Sequence, residues 1–73
     1  MSVMTKISAI NELKSMINTF PEYSLGEILF TVVREATFKN GSGKLSDLLE
    51  LSDSEVYTAI ENSIQREKEE IDG

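Results

Sequence analysis

The sequence predicts an all-α fold, a small orthogonal bundle of four helices in which the third helix is short. Three observations predict it. Large apolar residues recur every three or four positions. Two capping-box sequences precede such runs, and the single proline and a glycine-rich segment fall between them. With 73 residues, the chain has room for one helical domain over residues 1–73.

The first helix is predicted over residues 3–18. Its apolar residues are three or four positions apart, which places them on one side of a helix. They are Val3, Ile7, Ile10, Leu13, Ile17 and Phe20. Pro21 ends this helix, because proline restricts the residue before it and supplies no amide hydrogen.

The second helix is predicted to begin at Leu25. Ser24 and Glu27 have the spacing of a capping box, in which each side chain bonds to the backbone amide of the other residue. Glu35 and Lys39 are four positions apart and are therefore spaced for an ion pair along the helix. The inward-facing residues are predicted to be Leu25, Ile28, Leu29, Val32 and Ala36.

The second half of the chain is predicted to contain a loop and two further helices. Residues 39–43 form the loop and the best candidate for a hinge, because glycines there permit unusual backbone angles. A short third helix follows. Ser52 and Glu55 repeat the capping-box spacing, so a fourth helix should run from residue 53 to about residue 67. Residues 66–73 are mostly charged, and we expect them to form a frayed acidic tail.

These helices place twelve apolar residues in a predicted core. In the expected packing, the second helix contacts both the first and the fourth. The predicted core residues are Ile7, Ile10, Leu13, Ile17, Leu25, Ile28, Leu29, Val32, Leu48, Leu49, Val56 and Ile60.

The composition makes catalysis and metal binding difficult. The chain has no cysteine and no histidine, so it lacks the thiolate nucleophile and ligand and the commonest base at neutral pH. We therefore expect no enzyme, no catalytic residue, no cofactor and no metal site. No signal peptide and no membrane-spanning segment is predicted, which favours a cytoplasmic location.

Residues 45–60 have a spacing similar to that of a helix-turn-helix motif: a short leucine-bearing helix, a turn, then a helix with buried residues four apart. The resemblance is to the general motif and implies a DNA-reading second helix. Where the motif usually has a small residue, this chain has Glu50. Residues 45–73 hold nine acidic and two basic residues, a charge that repels phosphate and disfavours DNA as a partner.

The leading interpretation is a small non-catalytic protein-interaction module that pairs with a copy of itself. The apolar surface predicted on the first two helices exceeds what a small monomer needs, and pairing enlarges a small core. The expected contact residues are Phe20, Tyr23 and Phe30. No membrane partner and no small-molecule substrate is expected.

Two alternative functions remain open. The first is a small DNA-binding regulator that uses residues 52–64 as its reading helix. Its DNA contacts would be Lys39, Lys44, Ser54, Tyr57 and Thr58. The second is an acidic DNA mimic or inhibitor, in which the carboxylates of the C-terminal half occupy a basic protein.

Overall fold

The computed structural model describes residues 3–72, apart from the side chains of Asn40 and Asp72. These residues form three α-helices and one 3₁₀ helix, without a β-strand. The elements are α1 (Val3–Thr19), α2 (Leu25–Asn40), the 3₁₀ helix (Leu45–Glu50) and α3 (Asp53–Asp72). The predicted all-α fold and the short third helix are confirmed. The orthogonal arrangement and the helix-turn-helix character of the C-terminal half stay predictions.

Both predicted capping boxes are formed, and each one starts a helix where the sequence indicated. The Ser24 amide donates to Glu27 Oε1 at 2.7 Å, and the Glu27 amide donates to Ser24 Oγ at 3.1 Å. At the start of α3 the amide of Ser52 donates to Glu55 Oε1 at 2.8 Å, and the Glu55 amide donates to Ser52 Oγ at 3.2 Å. Each pair satisfies two amides that have no partner within the helix.

The central helix is α3. The second helix contacts both α3 and, over few residues, α1, as expected. α3 packs along both α1 and α2, whereas α1 and α2 make few contacts with each other. The reason is the width of the buried face of α3. Ala59 and Ser63 lie beside Ile60 and Ile64 in this face, so it is wide enough to contact a helix on each side.

The core takes a different side of α1 from the one that its isoleucines predict. Of the twelve predicted core residues, Ile28, Val32 and Ile60 are buried, and Leu13, Leu48 and Val56 are half-buried. The other six are exposed: Ile7, Ile10, Ile17, Leu25, Leu29 and Leu49. α1 instead packs through Ala9 and Met16, and Phe20 joins the core directly after the end of α1. Apolar residues cover about half of the circumference of α1, and α3 covers only one edge of that arc.

Polar groups inside the bundle are paired. The carboxylate of Glu35, 5% exposed, forms an ion pair with Arg66 of α3 and not with Lys39, the predicted partner. The hydroxyls of Thr31, Thr37 and Ser63 donate to backbone carbonyls four positions earlier. Within the described residues, no buried side-chain nitrogen or oxygen lacks a hydrogen-bond partner, as a stable core requires.

Both α2 and α3 continue beyond their predicted C-terminal ends. α2 continues to Asn40, so the loop predicted over residues 39–43 begins only at Gly41. α3 continues to Asp72, beyond the predicted end near residue 67. Arg66 and Glu67 contact the rest of the bundle, whereas the side chains of residues 68–71 are exposed. Fraying of the acidic tail stays a prediction, and Gly73 lies outside the described residues.

Shortening one buried and one exposed aliphatic side chain tests this core. Ile28 is 1% exposed and Leu49 is 86% exposed, although the sequence predicted both to be buried. We expect Ile28→Ala to lower the free energy of unfolding by about 2–5 kcal/mol, because it leaves a cavity. Leu49→Ala should change it by less than about 0.5 kcal/mol. Urea unfolding of both variants measures the difference, and equal losses would contradict the described core.

Candidate interaction surfaces

The three aromatic residues predicted to form a contact surface do not share one. Phe20 is 2% exposed and belongs to the core. Tyr23 is half-buried and stacks on it, with the ring centroids 5.2 Å apart. Phe20 is therefore unavailable to a partner, because it fills the end of the core where the chain passes from α1 to α2. Phe30 is 65% exposed on α2 and is available.

Tyr23 joins the turn between α1 and α2 to the central helix. Its hydroxyl donates a hydrogen bond to Glu67 Oε1 at 2.5 Å. This bond, followed by burial and the negative charge of Glu67, raises the pKa of Tyr23 from 10.0 to about 12. Since its ring contacts the core and its hydroxyl contacts α3, Tyr23 has a structural role.

A line of large apolar side chains follows the outside of α1. We call it the outer stripe and define it by exposed residues that are alternately four and three positions apart, so that they lie along one side of the helix. They are Val3, Ile7, Ile10, Lys14 and Ile17. Leu25 and Leu29 near the start of α2 are exposed as well. Lys14 is the one charged member of the outer stripe.

A second apolar surface lies where the 3₁₀ helix meets α2. We call it the aromatic groove. It has a volume of about 270 Å³ and is lined by Phe30, Val33, Arg34, Thr37, Phe38, Gly43 and Leu45. Phe38 and Leu45, like Phe30, are largely exposed.

Glycine is required at the point where the loop passes the ring of Phe38. Gly43 has a φ of +86°, in the region that side-chain-bearing residues rarely adopt. A Cβ atom at this position would lie 2.7 Å from Phe38 Cε1. The ring therefore rests directly on the backbone of residue 43, which fixes one wall of the groove.

Asp47 holds the same loop against the 3₁₀ helix. Its Oδ2 atom accepts hydrogen bonds from the Ser42 amide at 2.8 Å, the Ser42 hydroxyl at 3.2 Å and the Lys44 amide at 3.2 Å. The bond from the Ser42 amide contributes most to lowering the pKa of Asp47. The segment that the sequence suggested as a hinge is thus tied at several points.

Basic side chains border the aromatic groove on one side. An adjoining cleft of about 320 Å³ is lined by Arg34, Glu35, Phe38, Lys39 and Arg66. The guanidinium carbon of Arg34 lies 5.4 Å from the centroid of the Phe30 ring, a cation–π distance. Among the described residues, neither Arg34 nor Lys39 forms an ion pair.

Three of the five residues named for the DNA-binding alternative meet at one cleft. Lys39, Ser54 and Thr58 line a space of about 170 Å³ together with Glu55, Ala59 and Asn62. Tyr57 lies elsewhere and packs against the core, and the negative charge of Glu61 chiefly raises its pKa. Lys44 is exposed on the loop and does not line this cleft.

The sequence prediction missed Phe38 and Leu45 as surface residues. Phe38 lies outside the apolar stripe predicted for the second helix, and Leu45 was assigned neither to the predicted core nor to the predicted contact surface. The one available signal was Gly43, five positions after Phe38, because glycine permits close approach of a ring to the backbone.

Residues 3–72 contain neither a metal-binding cluster nor a membrane-spanning helix. No group of three or more acidic side chains there is arranged to hold a metal ion. None of the helices combines the length and the apolar character needed to cross a lipid bilayer.

No protein-family model, curated protein or solved structure matches the chain.

The hydrogen bond between Tyr23 and Glu67 makes the fold sensitive to alkaline pH. Because the folded chain raises the pKa of Tyr23 from 10.0 to about 12, this contribution to stability is complete below pH 10.0 and lost as the pH rises through about 12. Phenolate absorbance of a Tyr57→Phe variant isolates Tyr23. Adding Glu67→Gln should return the pKa of Tyr23 toward 10.0. If Tyr23 ionises near pH 10.0 while Glu67 is still present, the hydrogen bond is contradicted.

The contact between Phe38 and Gly43 predicts opposite effects for two glycine substitutions. Gly43→Ala should lower the free energy of unfolding by at least about 1–2 kcal/mol, because alanine disfavours a positive φ and its Cβ would displace the ring. A Cβ atom at Gly26 in α2 would meet only Ser24 Oγ, at an ordinary contact distance of 3.9 Å, so Gly26→Ala should be neutral or stabilise by up to about 1 kcal/mol. Thermal unfolding compares them, and a neutral Gly43→Ala would refute the contact.

Proposed function

We propose that this chain is a small non-catalytic protein-interaction module of the cytoplasm that forms a homodimer through the outer stripe of α1. The observation that carries the proposal is the row of exposed isoleucines at Ile7, Ile10 and Ile17. Single exposed apolar residues are common on monomers, but a row of large apolar side chains along one side of a helix, with Lys14 as its one charged member, marks an interaction surface.

The size of the chain supports a second copy as the partner. A domain of this length buries a modest share of its surface, and pairing is a common way to enlarge the core. In a symmetric pair, the two outer stripes would meet each other, so every isoleucine position contributes two buried side chains, one from each copy. Burying the exposed half of one isoleucine contributes about 1 kcal/mol, against a cost of association of roughly 4–15 kcal/mol.

The charge distribution also supports pairing through α1. α1 carries Lys6, Glu12 and Lys14, whereas the acidic excess of the chain lies in residues 45–73. Two copies that meet along α1 would therefore keep their acidic helices apart and avoid strong repulsion. Lys14 would lie within the contact, where a single charged residue sets the register at some cost in affinity.

DNA binding is supported by one observation, the meeting of Lys39, Ser54 and Thr58 at a single cleft. A lysine beside two hydroxyl groups could contact one phosphate. Glu55 lines the same cleft, however, and Asp53 and Glu61 lie on the same helix. The repulsion from these carboxylates makes self-association the better-supported function.

A charge placed in the outer stripe should weaken the homodimer. Ile10→Asp would bring two carboxylates into the contact and remove two isoleucine side chains, so the dissociation constant should rise at least about tenfold, or 1.4 kcal/mol. Because Ile10 is 55% exposed, the monomer should tolerate the change. Sedimentation equilibrium over a range of concentrations measures the constant.

Two variants of α1 serve as controls for this measurement. Ser8→Asp adds the same charge at an exposed position on the polar side of α1 and should leave the dissociation constant unchanged. Lys14→Leu removes the charge from the stripe and should tighten the dimer. Equal weakening by Ile10→Asp and Ser8→Asp would show that net charge acts instead, and no effect of Ile10→Asp would refute the interface.

A further inference from the structure

We infer that the aromatic groove binds a peptide segment of another protein in which large apolar side chains are flanked by carboxylates. The groove is distinct from the outer stripe, so this binding does not depend on dimer formation. It uses Phe30, Phe38 and Leu45 for the apolar contact, and Arg34 and Lys39 for the charged one.

The groove has the dimensions of a peptide site. Phe30, Phe38 and Leu45 are each about two-thirds exposed or more, and the groove and its adjoining cleft have volumes of about 270 and 320 Å³. Phe30 and Phe38 are eight positions apart on α2, which corresponds to about 12 Å along a helix. That length matches about two turns of a docked amphipathic helix.

The groove is already shaped before a ligand arrives. The ring of Phe38 rests on Gly43, and Asp47 ties the loop through the Ser42 and Lys44 amides. Arg34 is held over the ring of Phe30. Because little of this surface would have to be ordered on binding, the entropic cost of binding is reduced.

Charge complementarity identifies the kind of ligand. The chain has a formal net charge of −6, yet three of its seven basic residues border this one region. Arg66 is paired with Glu35, whereas Arg34 and Lys39 have no ion-pair partner among the described residues. A segment that offers carboxylates beside apolar side chains would satisfy both cations and cover the aromatic rings.

Two other occupants fit less well. A nucleic acid strand extends beyond a short groove, and its phosphates would then meet the carboxylates of α3. The outer stripe of a second copy would bring Lys14 toward Arg34 and Lys39, so like charges would oppose each other. A short acidic segment can lie wholly within the region that the cations border.

The test is a titration of the isotope-labelled protein, followed by amide chemical shifts. The probe is a synthetic amphipathic helix of about three turns with leucines on one face and glutamates on the other. We expect saturable shifts at Arg34, Phe38 and Leu45. Arg34→Glu should weaken binding at least about tenfold. The matched control Lys68→Glu makes the same charge change at an exposed site away from the groove and should leave the affinity unchanged.

Several results would overturn the inference. The first is the absence of saturable binding, and the second is chemical-shift change outside the groove. The third is equal binding of a peptide that has lysine at every glutamate position. The fourth is equal weakening of binding by Arg34→Glu and Lys68→Glu. Stronger binding of an oligothymidylate at the groove would assign it to single-stranded nucleic acid. Concentration-dependent shifts there without peptide would assign it to a second copy.

The titration is repeated in the Ile10→Asp background, which separates this inference from the proposed homodimer. Binding in that background supports the groove whatever the oligomeric state. If the Ile10→Asp protein, which keeps Arg34, no longer binds the peptide, the groove is not an independent site.

Discussion

The position of α3 between α1 and α2 is the constraint on which the rest of the molecule depends. One central helix covers a single side of each neighbour, and α1 and α2 make too few contacts to cover each other. Polar pairs hold this position, because Glu35 binds Arg66 and Tyr23 binds Glu67. This arrangement leaves apolar surface exposed on the outside of α1 and around the 3₁₀ helix, which no helix within residues 3–72 covers.

The two uncovered surfaces differ in chemistry, which favours different partners. The outer stripe is aliphatic and contains one charge, Lys14, so it suits an identical stripe on a second copy. The aromatic groove has rings, a fixed loop and two cations, Arg34 and Lys39, that form no ion pair within residues 3–72, so it suits an acidic ligand. A homodimer built in this way would present two equivalent grooves, one on each copy.

Local signals in the sequence predicted the helices well, but not which side of α1 is buried. Ser24 with Glu27 and Ser52 with Glu55 located two helix starts, because a capping box depends only on neighbouring residues. The choice between the two edges of the apolar arc of α1 depends on where α3 packs, which no local pattern contains. The same limit applies to Phe38, whose contact with Gly43 arises from the path of the loop.

In the proposed homodimer, another copy of the chain covers the apolar surface that α3 leaves exposed on α1. Multi-angle light scattering of the unmodified protein over a wide concentration range tests it most directly. The predicted result is a mass that rises with concentration from that of one 8.2 kDa chain to that of two. A mass that stays at 8.2 kDa up to the highest attainable concentration would contradict the homodimer.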